Sequence, residues 1–152
     1  MTRQKTLDDS ASRQSISARI SQLSPQSPRR WGKMTSHQML CHLADSYSGV
    51  MGERKISLQK LPIPRLFLRW LTLNAPWPKN APTRPEVNQL LSRTPPTEFE
   101  ADRLKLLEAI DRFCAANDSA RTPHPILGNL SHKDWMRWGF LHADHHLRQF
   151  GV

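Results

Sequence analysis

The feature that most constrains this chain is its last thirty residues, where a helix start is followed by one unbroken inward stripe. Ser131-His-Lys-Asp134 opens the segment, and Trp135, Trp138, His142, His146 and Gln149 then fall on one helical face before Gly151. Helical residues advance about 100° each, so His142 and His146 lie about 40° apart around the axis and one turn apart along it. A face of tryptophans and imidazoles cannot be left in water, nor can two buried imidazoles be left without partners at no cost. The chain must supply other helices to cover that face.

Three further segments repeat apolar residues at helical spacing. Ile16, Ile20 and Leu23 mark a helix over about 10–23, ended by Pro25 and Pro28. Thr35-Ser-His-Gln38 reads as a capping box for a second helix over about 35–52. Thr97-Glu-Phe-Glu100 reads as another, opening a helix over about 98–116 with an apolar stripe of Phe99, Leu106 or Leu107, Ile110 and Phe113 or Cys114. Between the second and third of these, residues 56–96 hold most of the prolines. NAPWPKNAPTRPE must be extended or turn-like there, although Leu66, Phe67, Trp70, Leu71 and Leu73 suit a short helix packed on the bundle. No strand alternation and no repeat is present. The expected fold is all-α, a four-helix bundle with a long Pro-rich crossover between the second and third helices, in one domain over 1–152 with residues 1–9 loose.

Composition narrows the function classes. The chain carries 22 Lys/Arg against 13 Asp/Glu, a formal charge of +9. The excess lies in residues 1–33 and 53–93 rather than along one helix face, and no nucleic-acid-binding motif accompanies it. Nucleic acid is therefore not an expected partner. Cys41 and Cys114 are too few for a disulfide framework and belong to no zinc signature. The start MTRQKTLDDS lacks the apolar stretch of a secretory signal, and no run reaches the ~18–20 apolar residues of a membrane span. The expectation is a soluble cytoplasmic protein with no membrane partner.

His142 and His146 need at least one more ligand if they hold an ion. His42, in Met39-Leu-Cys-His42-Leu-Ala-Asp45, is the histidine inside another well-patterned helix. On spacing alone the three are either core histidines or a metal site. His37, His124 and His132 read as surface or capping residues, and His145 lies nearer the edge of its helix. Asp45 and Asp144 read either as carboxylates that orient a ligand imidazole or as solvated helix charges. Gln149, one turn beyond His146, reads as a donor to the site or a bundle hydrogen-bonder. Lys79 and Arg84 are candidates for binding an anionic group of a substrate.

WGKMTSHQMLCHLADS at 31–46 and HPILGNLSHKDWMRWGFLHADHHLRQFG at 124–151 resemble the two signature blocks of the DinB/YfiT-like superfamily of metalloenzymes, closest to a branch of unknown function. The resemblance implies a four-helix bundle with one long crossover and a metal on His42, His142 and His146. In relatives of known activity, thiol-dependent S-transferases and a mycothiol-dependent isomerase, the metal activates a thiol. Residues 53–96 match none of their thiol-binding features, so their substrates are not carried over. Three imidazoles without a ligand carboxylate suit zinc, nickel or ferrous iron and leave positions open for water or substrate. The function expected is activation of a thiol or water for small-molecule transfer or hydrolysis, with a low-molecular-weight thiol as a further cofactor. The alternative is a non-catalytic, metal-stabilised binding or regulatory module. A homodimer is a further expectation from the resemblance.

Overall fold

The structure is a computed structural model describing residues 4–81, 83–91 and 94–152. It is all-helical, with five α-helices among the described residues: α1 Ser10–Ser21, α2 Ser36–Val50, α3 Arg65–Asn74, α4 Phe99–Ala115 and α5 His132–Gln149. Three short 3-10 turns, Pro85–Val87, Gln89–Leu91 and Asp118–Ala120, join them. The described residues form no strand; His124 and Gly128 make a single isolated backbone bridge. Among the described residues no helix is long and apolar enough to cross a membrane.

Helix starts follow the side chains that satisfy the free N–H groups of a first turn. Asp9 accepts from the Ser12 amide at 2.9 Å. Thr35 and Gln38 complete a capping box, with the Gln38 amide donating to Thr35 at 3.1 Å and the Thr35 amide to Gln38 at 2.9 Å. Ser131 caps α5 through the Asp134 amide. The capping box expected at Thr97 does not form. Glu98 caps α4 instead, taking the amides of Glu100 and Ala101, while the Thr97 amide donates to Asp102 at 2.9 Å. A carboxylate beside the positive end of the helix competes well with a hydroxyl one residue earlier.

Helices α2 and α4 pack along each other, α2 also meets α5, and α1 lies against α4 and α5. Their shared core is built on Leu40, Leu43, Tyr47, Leu106, Ile110, Phe113, Met136 and Leu147. Each such side chain contributes roughly 1.5–3 kcal/mol on full burial. Phe113 is the hub, with ring centres 5.1 Å from Tyr47, 6.0 Å from Trp138 and 6.1 Å from Trp135. Gly139 lets α5 approach this hub: a Cβ there would lie 2.7 Å from Leu7 and 2.8 Å from Phe113.

Within the arm expected to be loose, Leu7 packs into the core. Leu7 is fully buried and its amide donates to the Met136 carbonyl at 3.1 Å; residues 1–3 of that arm lie outside the described residues. The short helix expected near 66–73 is α3. It docks on the outside of α5 through buried Leu73, an Arg69–Asp134 ion pair and an Arg137-to-Leu73 carbonyl bond of 3.1 Å.

Candidate metal centre

Helix α2 contributes His42 to the interior, and α5 contributes His142 and His146 one turn apart. All three are buried, with 2%, 9% and 9% of their surface exposed. One ligand atom from each lies within 4.8 Å of the others, and no further His, Cys, Asp or Glu among the described residues joins the group. The Nε2 atoms of His42 and His142 are 3.3 Å apart.

Hydrogen bonds settle which nitrogens carry lone pairs in two of the three rings. His42 Nδ1 lies 2.8 Å from the Val87 carbonyl, which can only accept, so Nδ1 carries the proton and Nε2 faces inward bare. Gln149 donates its amide N–H to the Trp31 carbonyl at 2.8 Å, which turns its Oε1 toward His146 Nδ1 at 3.0 Å. His146 therefore donates from Nδ1 and also keeps Nε2 free as a lone pair. His142 Nδ1 is buried with no partner.

Protonation does not compete for these lone pairs near neutral pH. Burial lowers the pKa of His42, against a smaller opposing effect of the Val87 bond. Burial and then the neighbouring imidazoles hold His142 and His146 well below the ordinary histidine range. Trp138 and Trp77 wall the cluster, with ring centres 5.0 and 5.5 Å from His142. Tyr47 lies nearby but its hydroxyl donates to the Gly139 carbonyl at 2.7 Å, and burial pushes its pKa up.

The residues present fit a divalent ion. Two nitrogens bound at about 2.05 Å with a tetrahedral angle stand about 3.3 Å apart, the separation of the two Nε2 atoms. Neutral imidazoles whose outer nitrogens are held by a carbonyl and an amide oxygen are the ligand type such ions take.

Other residues singled out in the sequence sit elsewhere. Neither Asp45 nor Asp144 touches a ligand imidazole. Asp45 accepts from Thr94 at 2.8 Å and Gln89 at 3.1 Å and pairs with Arg54 at 3.0 Å. Asp144 pairs with Arg19 at 2.7 Å and Arg148 at 3.1 Å. Their orienting role falls to Val87 and Gln149; a backbone carbonyl such as that of Val87 leaves no signal in a sequence. Arg84 is taken up by Gln59, Ser57 and Glu86 within the α2–α4 connection. Lys79 is exposed, with Nζ 5.1 Å from the Trp31 ring centre. His145, expected nearer the edge, is as buried as His142 and His146 and packs against Trp31, Trp77 and His146. His132 meets Asp8 on the surface. His124 does more than a surface residue: its Nδ1 accepts the Ile126 and Leu127 amides, and its ring packs on Trp135 and Trp138.

A second donor group, not anticipated, lies on α2 and α4: His37, Cys41 and Asp102. Buried Asp102 accepts from His37 Nε2 at 2.8 Å, Lys105 Nζ at 2.8 Å and the Thr97 amide. Burial alone would raise its pKa, but those donors outweigh that and hold its carboxyl well below the usual range. Burial, with the charges of Asp102 and Asp45, pushes the Cys41 thiol up to about 12.

The sequence profile of a family described as a protein of unknown function, DUF1569, matches residues 1–151. The chain belongs to that family. No curated protein and no solved structure matches it. The family profile spans the two histidine blocks and the connection between them.

Proposed function

We propose that the protein holds one divalent transition-metal ion on His42, His142 and His146 and is a metal-dependent enzyme acting on a small molecule. The observation that carries this reading is the pair of inward Nε2 atoms 3.3 Å apart, at least one of them bare because Val87 holds the proton of His42 on the far side of the ring. A bound zinc, nickel or ferrous ion would supply Lewis acidity, lowering the pKa of a thiol or water so that it reacts as a nucleophile at neutral pH. The chain's own residues do the rest. Val87 and Gln149 fix two ring orientations, Trp77 and Trp138 exclude bulk water, and burial keeps the imidazoles unprotonated. Three protein ligands leave room for a reacting group. On the same two histidine blocks we read the family as a branch of the DinB/YfiT-like superfamily, with transfer to or from a thiol and hydrolysis as the reaction types.

One observation favours a second reading, a metal-stabilised module without chemistry: the three rings are nearly as buried as the core around them.

Elemental mass spectrometry of the untagged protein, purified without chelators, tests the site. About one transition-metal ion per chain, lost in His142→Ala, is expected; a metal-free wild type with full helicity would leave the histidines as core residues. Screening the loaded protein with thiols and with hydrolysable esters and amides then separates the two readings. Metal-dependent turnover supports the enzyme. A melting temperature that falls on chelation without any turnover supports the module.

A further inference from the structure

Exposed apolar surface in this protein is concentrated in one place. Seven of the nine large hydrophobic side chains left exposed among the described residues lie between Leu58 and Leu71. On α3, Leu66, Phe67, Trp70 and Leu71 are 79%, 55%, 59% and 40% exposed, within an arc of about 140°. Phe67 and Trp70 stack on each other, ring centres 6.3 Å apart. Leu58 and Ile63, in the segment leading into α3, are 63% and 43% exposed. The helix is not waiting to turn this face inward. Leu73, the Arg69–Asp134 pair and the Arg137 bond fix its other side to α5.

The charge this segment brings is basic, with Arg54, Arg69 and Arg84 paired to Asp45, Asp134 and Glu86. Residues 54–85 carry seven Lys/Arg and no Asp or Glu. Lys55, Lys60 and Arg65 are exposed, and Lys60 and Arg65 lie beside Leu61 and Ile63. A second copy docked symmetrically would bring like charges together, and the face is a convex helix rather than a groove for a partner helix. An apolar ridge with an aromatic pair, in a segment whose exposed charges are basic, matches an interface of acyl chains beneath anionic headgroups.

We propose that α3 and the segment before it form a membrane-surface contact, laying Leu66, Phe67, Trp70 and Leu71 into the headgroup boundary of an anionic bilayer while Lys55, Lys60 and Arg65 meet lipid phosphates. This replaces the expectation of no membrane partner with a peripheral one; nothing spans. It stands apart from the histidine site and holds with or without a metal there.

Sedimentation of the full chain with vesicles of phosphatidylcholine, alone or mixed with phosphatidylserine, is the test, with vesicle-free protein as the aggregation control. Pelleting with the phosphatidylserine vesicles only, weakening as salt rises, is expected. Phe67→Ser with Trp70→Ser changes side chains the core does not use; circular dichroism should be unchanged and partitioning should fall by about tenfold or more. Lys55→Gln and Lys60→Gln should each lower it by about fivefold. Failure to pellet with anionic vesicles, or equal pelleting of the Phe67/Trp70 double variant, overturns the proposal. So does a wild-type dimer that this double variant converts to monomer, because the occupant is then a second copy.

Discussion

Helix α2 carries two polar clusters on neighbouring residues, and they solve opposite problems. Around Asp102, one buried anion is surrounded by donors: His37, Lys105 and the Thr97 amide all point at it. Around His42, three buried imidazoles converge, and those of His42 and His146 turn lone pairs inward with no anion beside them. The first cluster is complete as it stands and ties α2 to α4. The second is the one we propose a cation completes. Both are groups of possible metal ligands by proximity, so proximity alone does not distinguish a hydrogen-bond hub from a site; the balance of donors and acceptors does.

Adjacent substitutions should break the comparison most sharply. His42→Ala should lower metal affinity by about a thousandfold or more, the scale of losing one of three ligands, whereas Cys41→Ala next to it should leave metal content at the wild-type level. Isothermal titration of zinc into chelator-treated protein measures both. Equal losses would show that α2 folding, not ligation, controls the metal.

Asp102→Asn should destabilise the protein by about 2–3 kcal/mol in urea unfolding, since hydrogen bonds to a charged group are lost or weakened, with metal content unchanged. The two clusters should also separate in pH. A carboxyl whose folded pKa is depressed adds stability that is present above its unfolded pKa of about 3.9 and is lost as pH falls toward the folded value. The stability that Asp102 adds should therefore be constant near neutral pH and fall away only in acid, where its Asn variant should lose less. The ligand histidines also have depressed pKa values, but here the unfolded state takes up the proton first. Metal-free protein should lose stability as pH falls below about 6.5, by on the order of 1 kcal/mol per pH unit for each histidine kept neutral. Urea melts of chelator-treated protein across that window, with and without His146→Gln, measure this. A flat profile would show that the rings protonate freely in the folded protein.

Gln149→Ala should be milder, lowering zinc affinity by about tenfold through loss of the bond that orients His146, with helicity retained. The smallest effect belongs to Cys41→Ala on stability, under about 1 kcal/mol, because the thiol is a weak donor to an already saturated carboxylate.

Helix positions were legible because caps and apolar spacing are local. Thr35 and Gln38 placed α2, Ser131 placed α5, and the stripe from Phe99 to Phe113 placed α4. The three histidines came together as expected because α2 and α5 each bury the face that carries them. What surrounds them was less legible. Asp45 and Asp144 looked suited to orient the rings, yet Asp45 is taken by Arg54, Gln89 and Thr94, and Asp144 by Arg148 and the distant Arg19. The Val87 carbonyl belongs to the backbone, and its direction depends on a turn that Pro85 helps to set. His37 and Asp102 are 65 residues apart, and nothing local in either segment points to the other.

The bond from His42 to Val87 also bears on how this chain tolerates change. The α2–α4 connection looks like a place where length is free, since each doubling of a flexible loop costs only about 0.6 kcal/mol. Yet the turn at Pro85–Val87 delivers the one oxygen that decides which face of the His42 ring is bare. Insertions ahead of Pro85 can be absorbed so long as the turn still arrives in register. A single-residue slip within it would exchange that carbonyl for a neighbour pointing elsewhere and free the His42 proton to move. A segment that reads as a spacer thus sets the tautomer of a ring buried 45 residues earlier in the chain.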